Sequence, residues 1–242
     1  MSLRRFVVPP AAVTSGIVLL RGDAAHHAAV VLRMQPGERV LVVDGSGLER
    51  IVEFTSVSPR EITGQVVETR RGTPQRVALT LIQGVPKAAK MDQIIRMGTE
   101  LGVREFIPVL TRRTMAEGKG RAARWRRIAA AATEQSRRAD VPAVRDPRLL
   151  AEALDGLPPE TLLLVLWEGE HVRTIGSALR TDPRRERVAV LVGPEGGLDD
   201  DDVREAVGRG GLLVTLGPLV LRTETAGVAA LAMVLYEHEL RE

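Results

Sequence analysis

The sequence predicts an α/β protein in which a small β-rich N-terminal domain precedes a larger domain built on a parallel sheet. From Val77 onward, short Val- and Leu-rich runs alternate with longer stretches of helical periodicity, which is typical of strand–helix units. Before about residue 70, short strands follow one another at close spacing, which favours a small barrel. The polar segment TRRGTPQR separates the two regions, so the predicted domains are 1–72 and 73–242.

The N-terminal region has a recognisable order of elements. A short helix is predicted over Asp23–Arg33. The runs ERVLVVD and LERIVEFTSVS flank GSG, which predicts a hairpin with Gly45 and Gly47 in its turn, and REITGQVVET follows as another strand.

The C-terminal region alternates between two kinds of segment. Its predicted strands are VALTLIQGV, EFIPVL, TLLLVLW, RVAVLV and LLVTLG. Its predicted helices are KAAKMDQIIRMGTELG, KGRAARWRRIAAAATEQSRRA and TAGVAALAMVLYEHEL. Gly102 is the expected stop of the first helix, and the second should turn Trp125, Ile128, Ala129 and Ala132 inward and its arginines outward.

Composition excludes several classes of protein. The 242 residues include no cysteine, so disulfides, a thiolate nucleophile and a zinc finger are ruled out. The four histidines are scattered and HExxH is absent, so no metal site is expected. Pro9 and Pro10 interrupt any signal-peptide core, and no apolar run is long enough to span a membrane. We therefore expect a cytoplasmic protein without a membrane partner.

Positive charge is concentrated between Thr111 and Arg138. This segment contains two acidic residues, Glu117 and Glu134, and nine basic ones: Arg112, Arg113, Lys119, Arg121, Arg124, Arg126, Arg127, Arg137 and Arg138. Such a surplus is typical of a surface that binds a polyanion, nucleic acid first, although a solvated helix face would show the same pattern.

Three predicted strands end in unusual sequence: LLLVLWEGEH, LVGPEGGLDDDD and LVTLGPLVLRTETAG. In the second, Asp199 and Asp202 have the spacing of a helix capping box, which explains the acids better than a metal site does. Capping does not explain the glycines, which indicate close approach of the backbone to a ligand or another loop. In the third, Thr223 or Thr225 could cap the last helix.

Known ligand-binding signatures are missing from these loops. No GxGxxG follows a predicted strand, and neither GxxxxGK[ST] nor GxSxG occurs. Glycine backbone and apolar walls suit a flat, neutral ligand such as an adenosine moiety.

The paired motifs GPEGGL and LGPLVLRTETA resemble those of the SPOUT superfamily of RNA methyltransferases. More closely, the chain resembles the bacterial 16S rRNA (uracil-N3)-methyltransferase family over nearly its whole length. The matching segments include RRFVV, HHAAVVLRMQPGE, KMDQIIRMGTELGV and RWRRIAAAATEQSRRADVP. Two departures are Asp199, where Ser or Thr is more usual, and the small residues Ser136 and Ala139 in the basic segment.

The resemblance implies a trefoil-knotted C-terminal domain, a PUA- or OB-like N-terminal barrel, a homodimer and S-adenosylmethionine as methyl donor. The residues it implies at the cofactor are Leu166, Gly193, Gly196, Leu216, Gly217 and Leu221. Those it implies at RNA phosphates are Arg112, Arg113, Arg124, Arg127, Arg137 and Arg138.

Methylation of uracil N3 requires loss of the N3 proton and stabilisation of negative charge on the ring. Arg222 is the expected cation, because a buried arginine in an apolar segment needs an anionic partner. An ion pair with Glu195 or Glu224 would be its ordinary structural role. Either glutamate could instead be the general base, or the proton could pass to solvent.

Two other functions fit the same residues. A protein of the same fold could methylate another target, such as a ribose 2′-oxygen. A non-catalytic RNA-binding protein of ribosome assembly would keep the basic face without a working cofactor site, although the intact paired motifs argue against it.

Overall fold

The computed structural model describes residues 3–73, 75–114, 120–180 and 186–240, and the chain forms two compact units. The first unit comprises Met1–Pro74 and Thr133–Val141. The second comprises Gln75–Ala132 and Pro142–Glu242. The predicted boundary between residues 72 and 73 stays a prediction, and no sequence signal assigned Thr133–Val141 to the first unit.

A six-stranded sheet forms the first unit within the described residues. Its strands are β1 (Arg5–Val7), β2 (Val13–Thr14), β3 (Ile17–Arg21), β4 (Arg39–Val43), β5 (Leu48–Val57) and β6 (Glu61–Arg71). They lie in the order β1-β4-β5-β6-β3-β2, with β1 parallel to β4 and every other pair antiparallel. The predicted hairpin is confirmed as β4–β5, and Gly45 and Gly47 turn with positive φ of 84° and 76°.

This sheet curls around a single apolar core. Phe6, Leu20, Val40, Phe54 and Ile62, each from a different strand, belong to one buried cluster. The pairing does not close, since β1 and β2 are edge strands in the described residues, so the expected barrel is a curled sheet with two edges. A closed barrel cannot be distinguished from a curled sheet by strand spacing.

The short helix predicted over Asp23–Arg33 is a composite. One turn of α-helix, α1 (Asp23–His26), continues as a wider π-type segment over His27–Val31. Arg33 then takes a positive φ of 53°, the left-handed conformation that commonly ends a helix. The predicted span was therefore close, but the change of winding left no trace in the sequence pattern.

Backbone and side-chain contacts hold Thr133–Val141 in the first unit. The amide of Val7 donates to the carboxylate of Glu134 over 2.8 Å, and the guanidinium of Arg5 donates to the carbonyl of Arg138. A Cβ on Gly72 would lie 2.2 Å from that of Ala139. The small side chains at these two positions therefore allow a close approach.

A parallel sheet of seven strands forms the second unit within the described residues. Its strands are β7 (Ala78–Gly84), β8 (Glu105–Leu110), β9 (Ala143–Val144), β10 (Arg148–Leu149), β11 (Leu162–Leu166), β12 (Arg187–Val192) and β13 (Leu212–Val214). The order is β10-β8-β7-β12-β11-β13, with β9 beside β8, and every pair is parallel. The five predicted strands are confirmed. The two-residue strands β9 and β10 are too short to show periodicity.

Six α-helices accompany this sheet in the described residues: α2 (Lys90–Glu100), α3 (Ala122–Ser136), α4 (Leu150–Asp155), α5 (Ile175–Leu179), α6 (Asp200–Gly208) and α7 (Thr223–Leu235), which continues as a π-type segment over Tyr236–Leu240. Trp125, Ala129 and Ala132 of α3 are buried as predicted, and Ile128 is only partly buried against the same cluster. Gly102 follows α2 with a positive φ of 85°, which confirms it as the stop. None of the described helices is long and apolar enough to cross a membrane.

The sequence of the central strand β12 is an unbroken apolar run because both of its faces are buried. Val188, Val190 and Val192 belong to one buried cluster, whereas Ala189 and Leu191 belong to a second. Alternate side chains of a strand point to opposite faces, so both faces of the sheet are covered here.

Candidate functional site

A cavity of about 680 Å³ opens where β11, β12 and β13 end. Its lining includes five of the six residues predicted at a cofactor: Leu166, Gly193, Leu216, Gly217 and Leu221. Gly196, the sixth, is not part of that lining. The sequence thus predicted which strand ends meet, because parallel strands bring their C-terminal ends to one edge of the sheet.

The loop after β12 is shaped by close backbone contacts. A Cβ on Gly193 would lie 2.6 Å from the carbonyl carbon of Gly197 and 2.8 Å from the nitrogen of Leu198, so only glycine fits. The loop then ends in the predicted capping box. The Asp199 carboxylate accepts from the Asp202 amide over 2.7 Å, and the Asp202 carboxylate accepts from the Asp199 amide.

Gly217 is needed for a different reason. Its φ is +111°, a conformation that residues with a Cβ rarely adopt, while the space that a side chain would occupy there is open. A larger residue would therefore strain the backbone rather than crowd the cavity.

The buried side-chain amide of Gln83 links the end of β7 to the loop after β12 and to the first residue of α7. The side-chain nitrogen of Gln83 donates to the carbonyl of Gly193 over 3.2 Å and to the hydroxyl of Thr223 over 2.9 Å. The Thr223 hydroxyl also donates to the Gly193 carbonyl over 2.6 Å. The prediction that Thr223 or Thr225 caps α7 is wrong, because Arg222 is the N-cap residue and makes no side-chain cap. Thr223 instead lines the cavity, and its hydroxyl is held by Gln83 and the Gly193 carbonyl.

Lys90, at the start of α2, lies between the two glutamates that the sequence offered as bases. Its ammonium nitrogen is 3.1 Å from a carboxylate oxygen of Glu195 and 3.4 Å from one of Glu224. Glu195 and Lys90 line the cavity, whereas Glu224 is not among its lining residues. Sequence reasoning missed Lys90 because it was one polar residue in an amphipathic helix.

Hydrogen bonding also sets the ionisation of Glu195. Burial opposes its charged form, but donors from its own backbone, from Lys90 and from the Lys87 amide outweigh burial and lower its pKa. A carboxylate with a lowered pKa is a weaker base. This geometry therefore argues against Glu195 as a proton acceptor.

Arg222 lines the cavity, but it is exposed rather than buried as the sequence suggested. The apolar residues that precede it do not cover it, since Leu219 and Val220 are themselves 77% and 79% exposed. In the described part of the chain, its guanidinium has no ion pair or hydrogen bond, because both expected partners are held by Lys90. The cation is thus available to a ligand.

Much of the basic stretch between Thr111 and Arg138 is neutralised by acids from elsewhere in the chain. Four arginines account for this: Arg112 pairs with Asp199 and Asp201, Arg124 with Asp92, Arg126 with Asp146, and Arg138 with Asp140. Counting charges along the sequence overestimated the surplus because these partners are distant in sequence or outside the stretch. The Arg138 side chain is only 10% exposed.

The remaining predicted phosphate contacts differ in availability. Arg113 lines the cavity and donates to the Gly196 carbonyl over 2.7 Å. Arg127 and Arg137 are exposed, and their side chains have no partner among the described residues. Arg127 belongs to the second unit and Arg137 to the first. Lys119 and Glu117 lie outside the described residues.

No group of three or more potential metal ligands occurs in the described residues. The described lining of the cavity comprises glycine loops, apolar walls and the cations Lys90, Arg113 and Arg222.

Comparison with known proteins gives a consistent result. Residues 73–235 match the model of an RNA methyltransferase domain, and residues 20–67 match that of an RNA methyltransferase PUA domain. Ribosomal RNA small subunit methyltransferase E of Bacillus subtilis is 32% identical, with 91% of this chain and 90% of the relative covered. Its namesake in Synechocystis is also 32% identical, with 95% and 76% covered.

A solved structure is similar over the whole chain. The crystal structure of ribosomal RNA small subunit methyltransferase E from Neisseria gonorrhoeae, bound to S-adenosyl methionine, superposes with a TM-score of 0.84. It is 30% identical and covers 96% of this chain and 97% of its own.

Proposed function

Because the chain belongs to the RNA methyltransferase family, we propose that it transfers a methyl group from S-adenosylmethionine to N3 of a uridine in 16S rRNA. The observation that carries this proposal is the cavity built by the GPEGG loop and the LRTETA segment at one edge of the parallel sheet. These are the paired motifs on which the sequence resembles the uracil-N3 methyltransferases.

The cavity fits the proposed donor. Its volume of about 680 Å³ lies within the range of about 300–1,000 Å³ that is usual for small-molecule sites. Leu166, Leu216 and Leu221 supply apolar walls for the adenosine moiety, while Gly193 and Gly217 present backbone. When bound there, S-adenosylmethionine would supply an electrophilic methyl group on a sulfonium.

Arg222 would stabilise the charge that develops on the uracil. Removing the N3 proton spreads negative charge over N3, O2 and O4, and an unpaired guanidinium at the cavity can donate to a carbonyl oxygen. We assign the proton to solvent, because Glu195 and Glu224 are both held by Lys90. The target base would have to leave its stack to reach the cavity.

RNA phosphates would be neutralised by the exposed arginines of the basic stretch, foremost by those without a partner among the described residues. Arg127 and Arg137 are the foremost candidates, with Arg112, Arg113 and Arg124 contributing their exposed faces. Arg138 is the weakest candidate, since it is paired with Asp140 and nearly buried. The substrate would place the protein in the cytoplasm with the ribosomal RNA.

RNA affinity should therefore depend on salt through these few residues. Each phosphate contact to single-stranded RNA contributes about −0.7 to the slope of log affinity against log salt concentration. Arg127→Gln should make that slope less negative by about 0.7, the contribution of one contact, and should weaken binding to all RNAs alike. Filter binding of a small-subunit RNA fragment between low and moderate salt measures both effects.

Arg209→Gln is the matched control for that experiment. It removes the same charge from an arginine that is already paired with Asp155 and Glu205. The slope should then stay at its wild-type value. An unchanged slope in Arg127→Gln would mean that this arginine is only a solvated side chain.

We propose a homodimer as the active form. Leu219 and Val220 on the cavity rim and Met233 and Tyr236 on or just after α7 are large apolar or aromatic residues left exposed, as is typical of a surface covered by a second copy. Sedimentation equilibrium should give twice the mass of one chain, and Leu219→Asp should lower it. A wild-type monomer at micromolar concentration would contradict the proposal.

Transfer of a labelled methyl group to small-subunit RNA tests the function directly. The non-catalytic alternative predicts RNA binding with no label incorporated and no binding of S-adenosylmethionine. The 2′-O alternative predicts a label that remains on the ribose after the base is released.

A further inference from the structure

We propose that Lys90 is a positioning residue, whose ammonium clamps Glu195 to Glu224 and so holds two walls of the methyl-donor cavity in register. This inference rests on the proposed function, because the effect that we expect is on the binding of S-adenosylmethionine. It assigns both glutamates to the clamp rather than to proton transfer.

The Glu195 carboxylate is fully engaged by the segment that leads into α2. Both of its oxygens accept from the Lys87 amide, over 3.0 and 3.2 Å, and one of them also contacts the Lys90 ammonium over 3.1 Å. Charge-assisted hydrogen bonds of this kind are stronger than neutral ones. Glu195 therefore anchors the loop after β12 to the start of α2.

The same ammonium reaches a third element of the chain. Glu224 is in the first turn of α7, and its side chain is only 14% exposed beside Lys90. Arg222 lies two residues earlier, in the cavity wall. Lys90 thus connects the glycine loop to the segment that carries the proposed charge-stabilising arginine.

Close backbone packing fixes the β7–α2 segment against the loop after β12. A Cβ on Gly84 would lie 2.5 Å from the Pro194 ring, so the β7–α2 segment and the loop after β12 touch backbone to backbone. Ala88, between Lys87 and Lys90, has a positive φ of 55°, a strained conformation that surrounding contacts have to maintain. Loss of the ammonium should release the glycine loop without unfolding the sheet beneath it.

The test compares Lys90→Met, Glu195→Gln and the double variant with wild type. Calorimetry should show that Lys90→Met and Glu195→Gln each weaken S-adenosylmethionine binding by about tenfold. The double variant should bind no more weakly than the weaker single variant, since both remove one clamp. Lys90→Arg should restore most of the affinity, because a guanidinium also reaches two carboxylates.

Two further readouts separate positioning from other roles. In the ligand-free protein, amides of the loop 195–198 should exchange with solvent faster in Lys90→Met than in wild type. With donor and RNA both saturating, the single-turnover rate of Lys90→Met should fall by much less than the roughly 100-fold expected when a reacting group is lost, because the reacting groups remain. Arg96→Met, which removes an exposed charge from the same helix, should change neither affinity nor exchange.

Four results would overturn the clamp. Loss of about 100-fold in rate at saturating donor in Glu195→Gln would make Glu195 a base. A Lys90→Met effect that persists undiminished in the Glu195→Gln background would mean that Lys90 contacts the ligand directly. Unchanged donor affinity in Lys90→Met would remove the clamp while leaving the proposed function intact. A wild-type chain without affinity for S-adenosylmethionine would overturn both.

Discussion

Arg222→Ala should lose about 100- to 1,000-fold in single-turnover methylation while its affinities for S-adenosylmethionine and RNA stay within a few-fold of wild type. The reason is the position of an exposed, unpaired guanidinium in the cavity wall, with the nearby glutamates already held by Lys90. A uracil that is losing its N3 proton offers that guanidinium an anionic partner only as the reaction proceeds. Single-turnover kinetics at saturating RNA with a labelled donor measure the effect.

Arg222→Lys and Arg209→Ala calibrate this result. Lysine keeps the charge but loses the planar fork of donors, so its rate should fall between those of wild type and Arg222→Ala. Arg209→Ala removes a paired surface charge and should react at the wild-type rate. A near wild-type rate in Arg222→Ala would end its catalytic assignment, and a collapse of RNA affinity with the rate preserved would make it a phosphate clamp.

Gly193→Ala should weaken S-adenosylmethionine binding by up to about 150-fold, since overpacking by one methyl group costs about 1–3 kcal/mol and the loop should shift out of its binding conformation to relieve it. The added Cβ would lie 2.6 Å from the backbone of Gly197, and neither chain segment can move freely. The Gly193 carbonyl is fixed by Gln83 and Thr223 on the other side. Calorimetric titration with the donor measures the loss.

Gly208→Ala is the matched control for this substitution. Gly208 is in α6 without a positive φ, and a Cβ added there would have no atom within 4 Å, so alanine should be tolerated or stabilising. Wild-type donor affinity in Gly193→Ala would show that the GPEGG loop is not the binding surface.

Local patterns predicted the elements around the site well. The capping box of Asp199 and Asp202 depends on two side chains three residues apart, so the sequence alone contains the whole motif. The strand RVAVLV is equally local, because burial on both faces requires an unbroken apolar run. The parallel-sheet methyltransferase fold is confirmed. The trefoil knot came only from the resemblance, since general rules on chain crossings disfavour one, and it stays a prediction.

What the sequence could not predict depends on partners far apart along the chain. Lys90 acquires its role only when Glu195 and Glu224, more than a hundred residues later, are folded against it. The charge of Arg124 is cancelled by Asp92 in another helix, which no local count of charges reveals. Arg222 was expected to be buried because apolar neighbours precede it, yet Leu219 and Val220 are themselves exposed.

Mapping of the modified nucleotides in 16S rRNA is the most direct test of the account. We expect RNA from a deletion strain to lack one N3-methyluridine, which the wild-type gene restores and the Arg222→Ala gene restores only weakly. Reverse transcription stops and mass spectrometry of the nucleosides identify the position and the methylated atom. A methyl group restored on a ribose or on another base, or 16S rRNA that is identical in the deletion strain and its parent, would contradict the proposed function.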